Sequence, residues 1–398
     1  MKNKHVLLGV TGGIAAYKAP AIVSRLKKLG MEVKVVMTEG ATKFVTPLTF
    51  QTMSNQVVHV DMFDQLNNMD VEHIALAKWA DVMVIAPATA NTIVKLAYGL
   101  ADNMLTTVAL ATKAPILIAP AMNTQMLRAE ATQEALKVLK NRKQYEILPT
   151  AEGLLACQDV GEGKMAEPED IVDYILMALT EKSLLGVDIT VTAGPTKERM
   201  DPVRFISNHS TGKMGYAIAT EAAARGATVH LISGPSQLKV PKGVDFIPVE
   251  STDDMFKAVE AKFDATDVLI KSAAPSDYKP KTYAAEKIKK REGGLMAVEF
   301  SPNPDIAKHF GAMKGDRVIV GFAAESHNMS TYAKKKLEEK NFNFIVANNI
   351  TEAKAGFGSD TNHVHIFSAD GSDEELPMMD KSDLAAAILD RVEKDLKS

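Results

Sequence analysis

Apolar residues fall in short unbroken blocks separated by amphipathic stretches. His5–Val10, Val33–Met37, Val82–Ala86 and Ile116–Ala119 are strand-length blocks. The run VMVIAPA, from Val82, shows no polar alternation, which suits a strand buried on both faces beneath crossover helices. Between the blocks, helical periodicity covers Ile14–Leu29, a stretch near Ala41–Thr52, and His73–Trp79. The alternation predicts a parallel, doubly wound sheet with its ligand at the carboxyl ends of the strands. Pro149–Pro168 breaks the pattern and reads as a long glycine- and proline-rich loop of the kind that often forms a lid. A helix follows from Glu169 to about Lys182. Periodicity fails around Ser183–Val187 and restarts with strand Asp188–Ala193. Helix Lys213–Arg225, strand Thr228–Ser233, helix Thr252–Lys262, strands Val268–Ala273 and Val318–Ala323, helix Met329–Lys340 and strand Phe344–Ala347 follow. The expectation is two α/β domains, both doubly wound and Rossmann-like, spanning 1–185 and 186–398. The 398-residue length agrees, being too long for one ordinary core.

Composition narrows the partners. With 46 basic and 50 acidic side chains the net charge is −4, so no basic excess favours nucleic acid or a membrane surface. Two lysines lead directly into the first strand, with no long apolar helix or small-residue cleavage site, so a cytoplasmic protein is expected. Cys157 is the single cysteine, which excludes an intrachain disulfide and a multi-cysteine metal site.

Two glycine-bearing strand-to-helix turns, Lys4–Ala16 and Asp188–Gly215, carry the first chemistry. Backbone N–H groups and the helix dipole meet phosphate at such turns. Gly9-Val10-Thr11-Gly12-Gly13 lacks the G-x-G-x-x-G spacing of a dinucleotide site, so it is either a single-phosphate site or a tight turn without ligand. In Ala86-Pro87-Ala88-Thr89-Ala90-Asn91-Thr92, Thr89 and Asn91 are placed to cap a helix while exposing N–H groups. Pro120-Ala121-Met122-Asn123 repeats that arrangement one strand later, and the pair reads as a shared crevice. Taken singly, His73 suits a structural role, Asn123 a helix cap and Cys157 an apolar filler. Gly153, Gly161 and Gly163 around Cys157 shift that residue toward reactivity in a loop.

In the second half, Asn208–Gly215 superficially matches a P-loop ending. Ser207 stands where its first glycine belongs, and Met214 replaces the Ser/Thr that would touch magnesium. Lys271–Tyr278 ends a buried strand. Glu286–Lys290 is a cationic run that alone reads as a solvated face. Lys336 and Lys340 lie one helical turn apart and by themselves read as surface lysines.

GVTGGIAAYK, HIALAKWAD, APATANT, PAMN, the cysteine loop and ISNHS-x-GKMG together closely resemble one family over essentially the whole chain. It is the bacterial bifunctional phosphopantothenoylcysteine decarboxylase / phosphopantothenate–cysteine ligase of coenzyme A biosynthesis. The resemblance implies FMN in the first domain, held at Gly12, Gly13, Ile14, Thr38, Pro87, Ala88, Thr89 and Asn91. It implies that flavin takes a hydride from the cysteine moiety, that the resulting thioaldehyde loses carbon dioxide, and that the electrons then return. By the same resemblance His73 is a base or orienting group, Asn123 binds the substrate carboxylate, and Cys157 protonates the enethiol. A thiol with a pKa of about 8.5 suits that last role.

For the second domain the resemblance implies CTP, 4′-phosphopantothenate and L-cysteine as substrates, with magnesium (Mg2+) on the triphosphate. Lys271, Ser272, Ala273, Asp277, Pro304, Asp305, Ile306, Ala307, Phe322, Lys336 and Lys340 frame the nucleotide. Lys287 stabilises the acyl-cytidylate step, and Asn208 holds that intermediate while the amine of cysteine attacks. A homo-oligomer built on trimers, with a dodecamer as one form, is implied as well. Two departures concern the lid: Lys279–Ala285 is lysine-rich, and FSPNPD stands where the family often has lysine. A flavin-binding regulatory subunit is the alternative from another class, and a lantibiotic-type peptidyl-cysteine decarboxylase would account for the first half alone.

Overall fold

The computed structural model describes residues 3–63, 71–154, 160–289, 297–325, 327, 329–349, 356 and 358–397. It divides into two compact units, Met1–Thr180 and Glu181–Ser398.

In the first unit six parallel strands lie in the order Val58–His59, Glu32–Met37, His5–Val10, Val82–Ala88, Ile116–Pro120, Tyr145–Ile147. Numbered along the chain this is 3-2-1-4-5-6. The order reverses between His5–Val10 and Val82–Ala88, which opens a crevice at their carboxyl ends. All seven residues of Val82–Ala88 are buried. Pleating sends Val6, Leu8 and Val10 to a core with Ile22, Leu26 and Ile171, and Leu7 to an opposite core with Ile93, Leu105 and Leu136. Two covered faces explain the unbroken apolar runs.

Three local expectations are corrected. Ile14–Leu29 is not one helix: a 3₁₀ turn, Ile14–Lys18, precedes the α-helix Ala19–Lys28, because Pro20 has no N–H and fits the first helical turn. The stretch near Ala41–Thr52 splits into Glu39–Thr42, capped by Thr38, and Pro47–Ser54, again begun by proline. Pro149–Pro168 contains an antiparallel hairpin, Ala151–Leu154 with Val160–Lys164, rather than loop throughout. Its glycines hide the alternation by which strands are read.

The second unit holds eight strands in the order Val244–Pro248, Thr228–Ser233, Asp188–Ala193, Val268–Lys271, Val318–Glu325, Phe344–Asn349, Thr361–Ser368, Asp373–Asp380. Its first six repeat the 3-2-1-4-5-6 parallel order, and the last two are antiparallel. The sequence expectation stopped at Ala347. Two further strands and the helix Lys381–Asp395 complete the unit. Glu181–Val187 packs here: Leu184 is buried and donates its N–H to Arg225 O at 3.0 Å. The edge strand Asp373–Asp380 reads DEELPMMD, acidic and interrupted by Pro377.

Two candidate nucleotide sites at the strand ends

In the first unit a buried hydroxyl couples the two glycine- and proline-bearing turns. Thr11, 1% exposed, donates through Oγ1 to Pro87 O at 2.8 Å and accepts from Thr89 N–H at 3.1 Å. Thr89 in turn caps the helix Ala90–Tyr98, accepting from Thr92 N–H. Thr11→Val keeps the shape and strands the buried Pro87 carbonyl and the half-buried Thr89 N–H, so the unit should lose about 1–3 kcal/mol. Denaturant unfolding checks this; an unchanged midpoint would show that the turns hold together without the hydroxyl.

Gly12 lies flush on Gly40. A Cβ on Gly12 would stand 2.8 Å from the Gly40 carbonyl carbon. Thr38 opens the helix carrying Gly40, so Gly12, Gly13 and Thr38 share one cradle. Ile14 is 57% exposed beside it, and Asn91 is exposed on the Thr89-capped helix. Pro87 and Ala88 end the central strand, Ala88 buried.

Asn123 caps Thr124–Arg128, accepting from Gln125 N–H at 2.8 Å. The hairpin docks on this turn. Met122 N–H donates to Gly163 O at 2.9 Å, and Thr124 Oγ1 donates to Glu162 O at 2.7 Å. Gly163 has φ +111, and a Cβ there would lie 2.3 Å from Met122 O. Cys157 itself lies outside the described residues, between the two strands of this hairpin. His73 is partly buried in helix Glu72–Trp79. That helix is tied to the sheet edge, where His59 Nδ1 lies 2.7 Å from Glu72 Oε1 and burial lowers the His59 pKa. Sequence reasoning missed Thr11, Gly40 and His59. Only the glycine pair had a signal, each at the end of a predicted strand.

In the second unit residues far apart in sequence converge on a cavity of about 630 Å³. Asn208, Lys271, Ser272, Ala273 and Asp277 line it, as do Pro304, Asp305, Ile306, Ala307, Phe322, Lys336 and Lys340. Asn208 is held across it, its Nδ2 donating to Ala274 O at 3.0 Å and Pro275 O at 3.1 Å. Asp305 caps the helix Ile306–Ala312 and pairs with Lys340 at 3.2 Å. Lys271 ends the central strand, and burial, together with nearby Lys340, pushes its pKa down to about 7 against the pull of Asp305.

Lys287 is not among the lining residues and is exposed. Its neighbour Ile288 is tethered instead, N–H donating to Asp201 Oδ2 at 3.1 Å and O accepting from Arg204 Nη2 at 2.8 Å. Arg204 holds the buried Asp201 carboxyl far below the usual carboxylate range.

The sequence reading did not find Lys381, which also lines the cavity. It is 6% exposed, donates to Ser359 O at 2.5 Å, and is pushed down to about 8 by burial and by Lys213. Lys213 pairs with Asp360 at 2.7 Å. Lys213, Lys271, Lys336, Lys340 and Lys381 thus form a cationic wall suited to a polyphosphate.

Fold and crevices define a protein of two α/β units, each built on a parallel sheet of order 3-2-1-4-5-6. The first 180 residues match the Flavoprotein family, and residues 184–396 match the DNA/pantothenate metabolism flavoprotein C-terminal domain. The chain is 48% identical over 396 residues to the coenzyme A biosynthesis bifunctional protein CoaBC of Bacillus subtilis strain 168, covering 98% of this chain and 97% of that protein. It is 43% identical over 396 residues to the same-named protein of Escherichia coli strain K12, at the same coverages. A solved C-terminal domain of a CoaBC protein aligns over 55% of this chain and 99% of its own, at 42% identity and TM-score 0.48. The chain belongs to the CoaBC family of coenzyme A biosynthesis bifunctional proteins.

Proposed function

We propose that the second unit joins 4′-phosphopantothenate to L-cysteine using CTP, through an acyl-cytidylate and with release of CMP and pyrophosphate. The first unit then decarboxylates 4′-phosphopantothenoylcysteine with FMN and returns the electrons, giving 4′-phosphopantetheine. The observation that carries the ligase half is the convergence of Asn208, Lys271, Asp277, Asp305, Phe322 and Lys340 on one cavity.

In that cavity the lysine wall stabilises charge that builds on the α-phosphate as the substrate carboxylate attacks it. Asn208, fixed at the lip, orients the activated acyl group toward the amine. Lys287 enters the reading through family resemblance, from outside the lining. Magnesium enters with the triphosphate. No group of three or more His, Cys, Asp or Glu side chains able to hold a metal occurs among the described residues, so no step is assigned to a protein-held ion.

The first unit fits FMN. The Gly12–Gly40 contact leaves a cradle of backbone with no room for a Cβ on Gly12, the Thr89-capped helix turns its N-terminus to the crevice, and Ile14 offers an exposed apolar face. Gly12, Gly13, Ile14, Thr38, Pro87, Ala88, Thr89 and Asn91 would hold it. Bound there, FMN supplies reversible two-electron oxidation. Asn123 binds the departing carboxylate, His73 orients or deprotonates the substrate, and Cys157 delivers a proton to the enethiol. Assembly into a trimer-based homo-oligomer and a cytoplasmic location complete the reading. No helix among the described residues is long and apolar enough to cross a membrane.

The test mixes purified protein with 4′-phosphopantothenate, cysteine, CTP and magnesium and follows CMP and carbon dioxide separately. Both are expected from the wild type. Cys157→Ser should still make CMP while accumulating an oxidised, decarboxylated thiol. CMP without carbon dioxide from the wild type would make the first unit a flavin-binding regulatory module.

A further inference from the structure

One corner of the ligase cavity carries polar atoms that the lysine wall does not account for. Ser276 is 7% exposed and lines the cavity, and its Oγ has no hydrogen-bond partner among the described residues. Asn303 lines it too, and its buried Oδ1 is likewise unpartnered. Leaving such atoms unpaired costs stability, so two of them in one cavity corner call for a ligand.

The backbone fixes both residues. Strands Tyr278–Pro280 and Phe300–Pro302 pair antiparallel, which brings Asn303 back beside Ser276. Asn303 N–H donates to Asp277 O at 2.8 Å, and its Nδ2 donates to Ser276 O at 2.8 Å. That second bond sets the amide's orientation: Nδ2 is committed to protein, and Oδ1 is left as a buried acceptor without a partner among the described residues. Ser276 is anchored from behind, its N–H donating to Thr196 Oγ1 at 3.0 Å. Thr196 Oγ1 lies 3.0 Å from Thr252 Oγ1, and Thr252 Oγ1 donates to buried Glu198 at 2.8 Å. The hydroxyl of Ser276 can give or accept, whereas Asn303 Oδ1 can only accept.

We infer that Ser276 Oγ and Asn303 Oδ1 form a neutral subsite that binds an uncharged hydrogen-bond donor of a ligase substrate, a hydroxyl or an amino group. It complements the lysine wall: the wall takes the phosphates, and this corner fixes a second, uncharged point of the same ligand set. The inference rests on the ligase reading of the cavity. Three substrates carry such donors: the nucleoside, the hydroxyl-bearing acid and the amino acid.

Ser276→Ala and Asn303→Ala are assayed for CMP release while CTP, 4′-phosphopantothenate and cysteine are varied in turn. Both variants should raise KM for the same one substrate about tenfold, in line with the loss of a buried hydrogen bond. CTP would place the nucleoside in the corner, cysteine its amine, and 4′-phosphopantothenate its hydroxyl. Thermal unfolding of the ligand-free protein supplies a second readout. Because the hydroxyl has no partner among the described residues, Ser276→Ala should melt no lower than the wild type. Unchanged KM for all three substrates in Ser276→Ala would overturn the subsite, and so would a lowered melting point of that variant. Absence of CMP from the wild type would instead overturn the ligase reading beneath it.

Discussion

A Gly163→Ala protein is expected to keep CTP-dependent ligation and to lose decarboxylation by about 100-fold, the scale on which a small misplacement of reacting groups acts. At φ +111 an L side chain is strained by about 1–3 kcal/mol. The new Cβ would also lie 2.3 Å from Met122 O, a backbone atom that no rotamer change can move. Strand Val160–Lys164 must therefore lift from Met122-Asn123-Thr124, breaking the Met122 N–H to Gly163 O bond and the Thr124 to Glu162 bond. Asn123 then loses its register with the hairpin that carries Cys157. The measurement is carbon dioxide and CMP from one reaction mixture. Equal carbon dioxide rates from variant and wild type would show that hairpin docking does not set the geometry of the first site.

Lys271→Met should weaken CTP binding by about 10- to 100-fold, the range for a buried charge-assisted contact. The pH signature is more specific. With its pKa pushed down to about 7, Lys271 is largely neutral at about pH 8 in the free protein, and triphosphate arriving beside it raises that value again. CTP binding at about pH 8 should therefore take up about one proton. At about pH 6 the ammonium is already charged and its share of the uptake should vanish. Calorimetry in two buffers of different ionisation enthalpy measures this, and Lys271→Met should remove the larger part of the uptake at the higher pH, leaving the share of Lys381, whose pKa is pushed down to about 8 in the same wall. Uptake unchanged in the variant would move the titration to another group. The same depression makes the ligand-free unit gain stability as pH rises from about 7 toward the ordinary lysine value of 10.5. Over that window the unfolded chain holds a proton the folded one has released.

Sequence revealed most where one physical cause acts alone. Val82–Ala88 could be read as a doubly covered strand because burial on both faces leaves no polar position, and all seven residues are buried. Pro20 and Pro47 were present as breakers, yet apolar periodicity ran across them, and the helices they begin were drawn too long or fused. Residues 151–164 gave no strand signal, since pairing there rests on backbone bonds between glycine-rich segments. Thr361–Ser368 did alternate, burying Asn362, Val364 and Ile366, but follows the last α/β repeat and is antiparallel.

The site divided in the same way. Asn208 and Asp277 sat in motifs readable along the chain, whereas Lys340 by itself reads as a surface lysine. The Thr11 bridge joins residues 76 and 78 positions apart and exists only once the sheet has formed. Ser276 and Asn303 stood in segments already singled out, but their unpaired atoms follow from a hairpin that no local pattern announces.

Each sheet ends in strands poorly suited to recruiting another. In the first unit the outer strands are Val58–His59 and Tyr145–Ile147, two and three residues long, too brief to template a ladder. In the second, one border carries Asp245 and Pro248, and the other carries Asp373, Glu374, Glu375 and Pro377. Prolines remove donors there, and charged side chains along the edge disfavour an added strand. The long Val- and Ile-rich strands that make both cores are thereby kept from cross-molecular zipping.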